Sequence, residues 1–516
     1  MSYMRGAVRR SNSKKQNKII MKYISTRGKD NPVSGAEAIV KGLADDGGLY
    51  VPVEFPVVSA TELDRLTEMS YPERCAYILG LFFDDFSKEE LLQYCEEAYT
   101  SFDGDPAPLV KLDQNLFVLE LWHGPTLAFK DMALSILPKL FVGAKKKIGD
   151  NTQTLILTAT SGDTGTAALN GFKDADGVKV IVLYPDEGVS PLQKLQMTTA
   201  EGNNVNVVAV KGNFDDAQRA VKNIFEDAEI RKALAKDNIS LSSANSINIG
   251  RLIPQVAYYF SAYADMLSAG QIKNGDKINF IVPSGNFGNI LAGYYALKMG
   301  LPIGKLICAS NQNKVLTDFF NLGSYDISKR DFHKTTSPSM DILVSSNLER
   351  LIFELSNRDS KVTAQRMTDL KKNGRYTITS EEKKQTDKIF SAGWADEDEV
   401  ADTIEEFFEE YGYISDPHTA VALKVWDDKV WCDKEVKDTP TVVVSTASPY
   451  KFTDTVLTAL EIKPTGNVSK DCKKMEELTA LPMPDTLKRL FRKKNRFDKR
   501  IEIIEVKELI CSMDKD

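Results

Sequence analysis

Short apolar runs that do not alternate with polar residues recur along the chain from about residue 108. The clearest are TLILTATSG (154–162), VKVIVLYP (178–185), VNVVAV (205–210), KINFIVPSG (277–285), KLICAS (305–310) and TVVVSTAS (441–448). Strands with one face in water alternate apolar and polar residues, so these continuous runs predict strands that are covered on both faces. Helical patterns lie between them. The sequence therefore predicts an α/β fold, with parallel sheets flanked by helices.

Helical patterns dominate two other parts of the chain, residues 21–99 and 321–410. In the first of them, Ser34 precedes GAEAIVKGL and Glu37 stands three residues after it. This spacing is typical of a capping box, in which each side chain accepts a hydrogen bond from the backbone of the other residue. We therefore predict a helix that begins just after Ser34.

The composition is that of an ordinary globular protein, with 42% hydrophobic and 27% charged residues among 516. A net charge of −7 argues against nucleic acid or an anionic membrane as the main partner. No window approaches the roughly 18 apolar residues needed to cross a bilayer, so we predict no membrane insertion. The six cysteines form no CxxC pair and only three histidines are present, which predicts neither a disulfide framework nor a metal site. We expect a reducing compartment, the cytoplasm.

The first twenty residues contain six basic residues and no acidic one. We expect them to form a disordered basic extension upstream of Met21, where the folded part begins. A transit-like leader is the alternative, but the segment lacks a clear amphipathic apolar face.

Two glycine-rich turns each connect a predicted strand to a predicted helix, the place where open α/β sheets bind ligands. In PSGNFGN (283–289) the backbone can curl so that its N–H groups and the helix start surround a phosphate; a plain glycine turn is the alternative. TATSGDTGTAAL (158–169) offers Ser161, Thr164 and free amides at a helix start, which suits a carboxylate. Asp163 does not suit an anion unless it caps the helix, so a simple capped helix is the alternative there.

Lys130 lies in HGPTLAFKDMAL (123–134), directly after an apolar stretch. An apolar pocket disfavours the charged form of a lysine, so its amine becomes available as a nucleophile and a base, as a Schiff base requires. A packed stem with its head in water is the alternative. A third strand end, VSTASPYKF (444–452), carries hydroxyl groups that either bind a ligand or cap the chain. A reactive lysine together with a phosphate loop and a carboxylate turn indicates pyridoxal 5'-phosphate acting on an amino acid.

These motifs resemble one family, the threonine synthases, which are pyridoxal-phosphate enzymes of fold type II, the tryptophan synthase β-like group. The resemblance runs from Met21 to about Asp454 in six segments that follow the family order. They are KGLADDGGLYVP (41–52), HGPTLAFKDM (123–132), TSGDTG (160–165), SPSMDILVSSNLERL (337–351), DPHTAVA (416–422) and STASPYKF (445–452).

The resemblance implies a role for each matched residue. Lys130 is expected to bind the cofactor as a Schiff base and to act as the catalytic residue. Its phosphate is expected at Gly285, Asn286, Phe287 and Asn289, and its pyridine nitrogen at the hydroxyl of Thr446. The substrate carboxylate is expected at Ser161, Gly162, Asp163 and Thr164.

The family substrate, O-phospho-L-homoserine, carries a second phosphate. The segment SANSINIGRLIPQ (243–255) offers donors for it. They are Asn245, Ser246, Asn248 and Arg251, the last three of which face one way if a helix begins near Ile247. We favour Arg251 over Lys314 as the phosphate anchor, because its planar fork of donors suits a phosphate; a structural ion pair is the alternative.

We expect a basic extension and three domains. The extension is expected at residues 1–20, and an N-terminal domain that is mostly helical at 21–107. A large cofactor-binding domain is expected at 108–151 and 216–516, and a small domain with the substrate loop at 152–215.

The implied reaction converts O-phospho-L-homoserine and water into L-threonine and phosphate by γ-elimination and β-replacement, in a monomer or homodimer. A phospholyase that releases 2-oxobutanoate and a noncatalytic binding protein of this fold are the alternatives. The chain departs from the family pattern at two places. It has Ser448 and Tyr450 where the family block reads STAHPAKF, and Lys314 where an acidic residue is expected.

Overall fold

The computed structural model describes residues 20–160, 162–186 and 189–512. The predicted basic extension, apart from Ile20, lies outside these residues. The strands are β1 (Tyr23–Ser25), β2 (Tyr50–Pro52), β3 (Leu109–Lys111), β4 (Leu116–Glu120), β5 (Gln153–Ala159), β6 (Val178–Pro185), β7 (Val205–Val210), β8 (Ile239–Ser242), β9 (Ile278–Pro283), β10 (Ile303–Ser310), β11 (Ser324–Asp326), β12 (Arg375–Thr377), β13 (Phe390–Trp394), β14 (Thr441–Ser445) and β15 (Arg500–Ile501).

The helices surround these strands. They are α1 (Gly35–Lys41), α2 (Ala60–Leu66), α3 (Tyr71–Phe82), α4 (Lys88–Tyr99), α5 (Asp131–Leu134), α6 (Leu137–Ile148), α7 (Asp163–Gly171), α8 (Pro191–Thr198), α9 (Phe214–Glu226), α10 (Ala228–Lys236), α11 (Ile249–Ser268), α12 (Gly288–Lys298), α13 (Val315–Leu322), α14 (Leu348–Leu355), α15 (Ser360–Asn373), α16 (Ser380–Ile389), α17 (Glu397–Tyr411), α18 (Pro417–Cys432), α19 (Lys434–Asp438), α20 (Thr453–Ala459), α21 (Val468–Thr479), α22 (Asp485–Leu490) and α23 (Val506–Ser512). Short 3-10 helices cover Pro338–Met340, Pro449–Phe452 and Ile503–Glu505.

The larger sheet has the strand order β13-β10-β9-β14-β4-β3. All neighbouring pairs in it are parallel except β3 and β4. Every residue of β9 and β14 is buried, as expected for strands covered on both faces. Because β4, β9 and β14 run in the same direction, the loops that follow Glu120, Pro283 and Ser445 meet at one edge of the sheet.

The second sheet has the order β15-β7-β6-β5-β8, and all of its pairs are parallel. Each of the six apolar runs forms a strand in one of the two sheets, which confirms the predicted α/β class. The small domain predicted at 152–215 supplies only β5, β6 and β7 of this sheet. Its predicted end at residue 215 falls inside α9, and β8 and β15 lie beyond it, so the unit that this sheet defines is larger than predicted.

The N-terminal region contains α1 to α4 and the antiparallel pair β1 and β2. The predicted capping box is present, since Ser34 Oγ accepts from Glu37 N at 3.2 Å and Glu37 Oε2 accepts from Ser34 N at 2.7 Å. Arg350 joins this region to the rest of the chain. Its fully buried guanidinium donates to Tyr50 O at 2.9 Å and to Ile247 O at 2.6 Å.

No helix within the described ranges is long and apolar enough to cross a membrane.

Gly171, the last residue of α7, packs directly against the backbone of α5. A Cβ at this position would lie far inside van der Waals contact with the carbonyl oxygen of Leu134. We predict that Gly171→Ala destabilises the fold by about 1–3 kcal/mol, the usual cost of overpacking, because a backbone atom cannot rotate away. The midpoint of thermal unfolding measures the effect.

Gly80 provides the matched control. It lies in α3, and a Cβ there would meet only Leu91 Cδ1 at 3.6 Å, an ordinary contact. Gly80→Ala is expected to stabilise the fold by about 0.5–1 kcal/mol because it restricts the unfolded chain. Equal midpoints for the two variants would contradict the packing described for α7.

Candidate active site

The segment that carries Lys130 is fixed against the end of β14. Phe129 N donates to Thr446 O at 2.8 Å, and Ser448 N donates to Leu127 O at 3.0 Å. Leu127 has a φ of 61°, which turns the chain sharply before α5. Lys130 therefore leaves a tightly held turn at the sheet edge where β4 and β14 end.

The amine of Lys130 points inward. Its Nζ donates to Asp163 Oδ2 at 3.1 Å and to Ser339 Oγ at 3.2 Å, and it lies 4.8 Å from the centroid of the Phe129 ring. Only 11% of the side chain is exposed. Burial lowers the pKa of Lys130; the carboxylate of Asp163 raises it, and the charges of Lys451 and Arg251 lower it further. The sequence-based expectation of an amine held in a buried setting agrees with this geometry.

Asp163 lies at the start of α7, between two lysines. Its Oδ1 is 2.7 Å from Lys451 Nζ and accepts from Gln193 Nε2 at 2.8 Å, and Ser339 Oγ donates to its Oδ2 at 2.9 Å. Burial by itself raises the pKa of Asp163, but the charges of Lys130 and Lys451 outweigh it and hold the pKa well below its usual value. Asp163 is thus the counter-ion of both amines.

The predicted carboxylate turn is only partly supported by this arrangement. The side chain of Asp163 forms no helix cap, and a carboxylate repels an anionic ligand. The N–H groups of Gly162 and Gly165 already donate to Thr160 Oγ1, at 2.9 Å and 3.0 Å, so the donors left to the turn are its other backbone amides and the Thr164 hydroxyl group. Gly162 and Thr164 lie on either side of Asp163 at the start of α7, and Ser161 lies outside the described residues. Gly162 has a φ of 148°, a backbone conformation that residues with a side chain rarely adopt, so the turn favours glycine there.

The predicted phosphate loop connects β9 to α12 and lies against the turn that carries Ser339. A Cβ on Gly285 would be 2.5 Å from Ser339 O, so only glycine permits this approach. Ser345 Oγ donates to Gly285 O at 2.8 Å and Asn347 Nδ2 donates to Asn286 O at 3.0 Å. These bonds to the carbonyl groups hold the loop in place and leave its N–H groups for a ligand.

Asn289, in the first turn of α12, has a donor without a partner. Its Oδ1 accepts from Tyr258 OH at 2.7 Å and from Tyr259 OH at 2.9 Å. Its Nδ2 is buried and has no hydrogen-bond partner among the described residues. A buried orphan donor beside a helix N-terminus fits a phosphate, since both contribute positive partial charge. Phe287, which directly precedes α12, has a φ of 63° and completes the turn.

Thr446 is buried directly after β14 and joins the segment of Lys130 through its carbonyl group. The role expected for its hydroxyl group at the ring of the cofactor stays a prediction.

The residues predicted to bind the substrate phosphate do not share one environment in the structure. Asn248 caps α11, because its Oδ1 accepts from Gly250 N at 2.8 Å and its Nδ2 donates to Ile39 O at 2.9 Å. Both ends of its amide are used by the fold, so we no longer assign it to the substrate. Asn245 is exposed and accepts from Ser246 N at 2.7 Å. Helix α11 begins at Ile249, two residues after the expected start.

Arg251 is buried in the first turn of α11. Its Nη1 donates to Ala244 O at 2.6 Å, while its Nε has no hydrogen-bond partner among the described residues. Burial lowers its pKa to about 10. Within the described part of the chain it forms no ion pair, so the structural ion pair weighed above is not found. Lys314 is the other candidate, and its Nζ lies 3.5 Å from the centroid of the Trp394 ring.

Sequence reasoning assigned no role to four groups that contact the site: Lys451, Gln193, Ser339 and the pair of His418 with Asp416. His418 Nδ1 lies 2.6 Å from Asp416 Oδ2, and its Nε2 accepts from Ser339 N at 3.2 Å. Lys451 was recognisable, because it is a single lysine among apolar and hydroxyl residues after a buried strand, the pattern that singled out Lys130. The others depend on tertiary contacts.

Three family profiles match consecutive parts of the chain. They are described as Threonine synthase N terminus (residues 22–99), Pyridoxal-phosphate dependent enzyme (101–370) and Threonine synthase, C-terminal (419–510). Human threonine synthase-like 1 is 42% identical over 84% of this chain, which spans 59% of that protein's length. Threonine synthase of Schizosaccharomyces pombe is 37% identical, covering 85% of this chain and 89% of that enzyme.

A solved structure extends the comparison to three dimensions. The crystal structure of threonine synthase from Brucella melitensis with bound pyridoxal phosphate has a TM-score of 0.85 and 39% identity, covering 95% of this chain and 99% of that chain. The predicted fold type II is thereby confirmed.

Asp131, the residue after Lys130, has a buried carboxyl group whose pKa is shifted. Both of its carboxylate oxygens accept from Thr126, at 2.7 Å from N and 2.6 Å from Oγ1, and burial raises its pKa to about 6. An unfolded aspartate has a pKa of about 3.9. Between these values the folded state binds more protons, so this group makes the fold less stable as the pH rises.

We predict that Asp131→Asn removes this contribution. Between about pH 4 and 6 the free energy of unfolding should then fall less steeply with rising pH than in the parent, because asparagine does not titrate. Urea unfolding at several pH values measures the difference between variant and parent. Parallel curves would contradict the raised pKa.

Proposed function

The chain belongs to the pyridoxal-phosphate-dependent threonine synthase family, and on that premise we propose that it converts O-phospho-L-homoserine and water into L-threonine and phosphate. One observation carries the proposal. The amine of Lys130 and the turn that packs on the Gly285 loop meet at Ser339, whose Oγ lies 3.2 Å from Lys130 Nζ. An amine for the cofactor aldehyde and a loop for the cofactor phosphate therefore lie on either side of one serine.

We assign the cofactor contacts to residues whose geometry fits them. Lys130 attaches the cofactor. The N–H groups of residues 285–288 and the Asn289 Nδ2, which has no partner among the described residues, would bind its phosphate, and the Thr446 hydroxyl would bind its pyridine nitrogen. A neutral hydroxyl, unlike a carboxylate, does not hold that nitrogen protonated, which restrains side reactions such as transamination.

When bound, pyridoxal phosphate supplies an electron sink for charge that develops on the carbons next to the substrate amine. Lys130 Nζ would take the proton from the substrate α-carbon, and Lys130 or a substrate phosphate oxygen would move protons at the β-carbon. Ser339 Oγ, which lies between Lys130 Nζ and Asp163 Oδ2, orients that amine. Phosphate leaves from the γ-carbon, and water adds at the β-carbon.

The substrate is held at both of its anionic ends. The backbone amides at the start of α7 receive its α-carboxylate. Arg251 receives its phosphate, with Nε and the remaining guanidinium N–H groups as donors. We assign the enzyme to the cytoplasm, because all six cysteines are free, four of them buried, which suits a reducing compartment.

A phospholyase that releases 2-oxobutanoate is the second candidate, and the similarity to threonine synthase-like 1 favours keeping it. Both reactions release phosphate from the same substrate and use the same lysine. They differ only in whether water adds at the β-carbon, so the organic product separates them.

Lys130→Ala tests the attachment of the cofactor. The parent should bind pyridoxal phosphate, with an absorbance band that free apoprotein lacks, and should release phosphate and L-threonine in equal amounts. The variant should fold and lose both the band and all but a few per cent of turnover, because it lacks the amine that attaches the cofactor. Activity above that level contradicts the assignment of Lys130, and 2-oxobutanoate in place of threonine selects the second candidate.

Arg251→Met tests the phosphate anchor. We expect it to weaken binding of O-phospho-L-homoserine by about 1.5–3 kcal/mol, the value of a charge-assisted hydrogen bond. Binding of L-homoserine, which lacks the phosphate, should not change. Lys314→Met is the matched control, since its ammonium lies on Trp394, and it should bind both compounds like the parent. An unchanged affinity in Arg251→Met would remove this residue from the site.

A further inference from the structure

Lys451 is a second buried lysine at the site. It lies in the 3-10 helix Pro449–Phe452 that follows β14, and its side chain is 0% exposed. Its Nζ is 2.7 Å from Asp163 Oδ1 and donates to Thr126 O at 2.8 Å. A buried ammonium needs such acceptors, because it has lost its water.

Two amines therefore share one carboxylate. Asp163 presents Oδ1 to Lys451 and Oδ2 to Lys130. If both amines were protonated, the buried cluster would hold one uncompensated positive charge, which is costly in a medium of low dielectric constant. One of them is better accommodated as a neutral amine.

Other titratable groups surround the cluster. Arg251 on α11 contributes a positive charge that acts on Lys130 and adds to this imbalance, whereas His418 on α18 accepts from Ser339 N at its Nε2, as a neutral imidazole does. The carboxyl of Asp131 on α5 has a pKa raised to about 6 by burial, so it is ionised at neutral pH, but both of its oxygens accept from Thr126 rather than from either amine. Within the described residues, Asp163 is thus the one carboxylate that contacts either amine.

The two amines are not equivalent. Lys451 has a carboxylate and a backbone carbonyl as acceptors, and none of its side chain reaches solvent. Lys130 has the second carboxylate oxygen, which it shares with the Ser339 hydroxyl, and 11% of its side chain is exposed. The carbonyl group can only accept, so it favours a protonated Lys451.

We propose that Lys451 is a positioning residue: as a permanent cation on Asp163, it leaves Lys130 to present a neutral amine to the cofactor. The inference rests on the proposed role of Lys130. The covalent step concerned is the attachment itself. The neutral Nζ of Lys130 forms a bond to the aldehyde carbon of pyridoxal phosphate, and water leaves with the aldehyde oxygen and both amine protons.

The test is the pH dependence of cofactor attachment to the full chain freed of cofactor. The attachment rate is followed by absorbance after mixing with pyridoxal phosphate, and borohydride reduction with mass spectrometry identifies the modified lysine. Lys451→Met removes the cation. Lys130 then pairs alone with Asp163 and is retained as an ammonium, so the rate should rise only at higher pH. At neutral pH it should fall by about tenfold for each unit that the pKa of Lys130 rises.

Lys145→Met is the matched control. Lys145 is also a buried lysine, with Nζ donating to Thr154 Oγ1 at 2.8 Å and lying 3.6 Å from Asp150 Oδ2, away from the site. This variant should keep the pH profile of the parent. If the loss of a buried lysine only weakens the fold, both variants should have a lower melting temperature, and both should keep the pH profile of the parent.

A second comparison applies where Lys451→Met does not fold. In an Asp163→Asn background, Lys451→Met removes the cation without leaving a carboxylate unbalanced. The double variant should attach the cofactor at a higher pH than Asp163→Asn alone, because a like charge near Lys130 is gone. Identical profiles in this comparison, or in the comparison of Lys451→Met with the parent, overturn the inference. A parent that is not modified at Lys130 at all overturns the proposed function instead.

Discussion

The carboxylate of Asp163, buried between Lys130 and Lys451, is the interaction on which the site depends. Asp163 begins α7 after β5 of the smaller sheet, whereas both lysines follow strands of the larger sheet. The two sheets are therefore joined by a buried set of charges at the point where the cofactor is expected. Removing one partner of a buried ion pair costs about 3–5 kcal/mol, which is large against the stability of a typical domain.

The turn that carries Ser339, which contacts Asp163, is held in place by further contacts. Ser339 is held from behind by His418, whose Nδ1 faces Asp416, so its Nε2 accepts the backbone N–H of Ser339 as a neutral imidazole does. The same serine lies against Gly285, where a Cβ would be 2.5 Å from its carbonyl oxygen. One turn thus sets the distance between the amine and the phosphate loop, and a shift in it would alter both.

The sequence predicted the parts of the site that depend on local pattern. Lys130 and the loop before Asn289 were recognisable because each follows a buried strand and differs in composition from its surroundings. Asn248 was assigned to the substrate because its amide suits a ligand equally well, and only the structure shows that this amide caps α11. Contacts across long stretches could not be predicted, such as Lys130 with Ser339, 209 residues apart, or Lys451 with Thr126, 325 residues apart.

The departures from the family pattern also acquire a physical meaning. Ser448 Oγ accepts from Tyr450 N at 3.3 Å and caps the 3-10 helix that carries Lys451, while Tyr450 OH donates to Leu481 O at 2.5 Å. Both residues thus fix the short helix, and neither adds a charge to the cluster. Within residues 445–452 the chain thus departs from the family at residues that hold the short helix of Lys451, while Lys314, the other departure, lies on Trp394. The residues that hold Lys451 in place can therefore change while the charges around Lys130 stay the same.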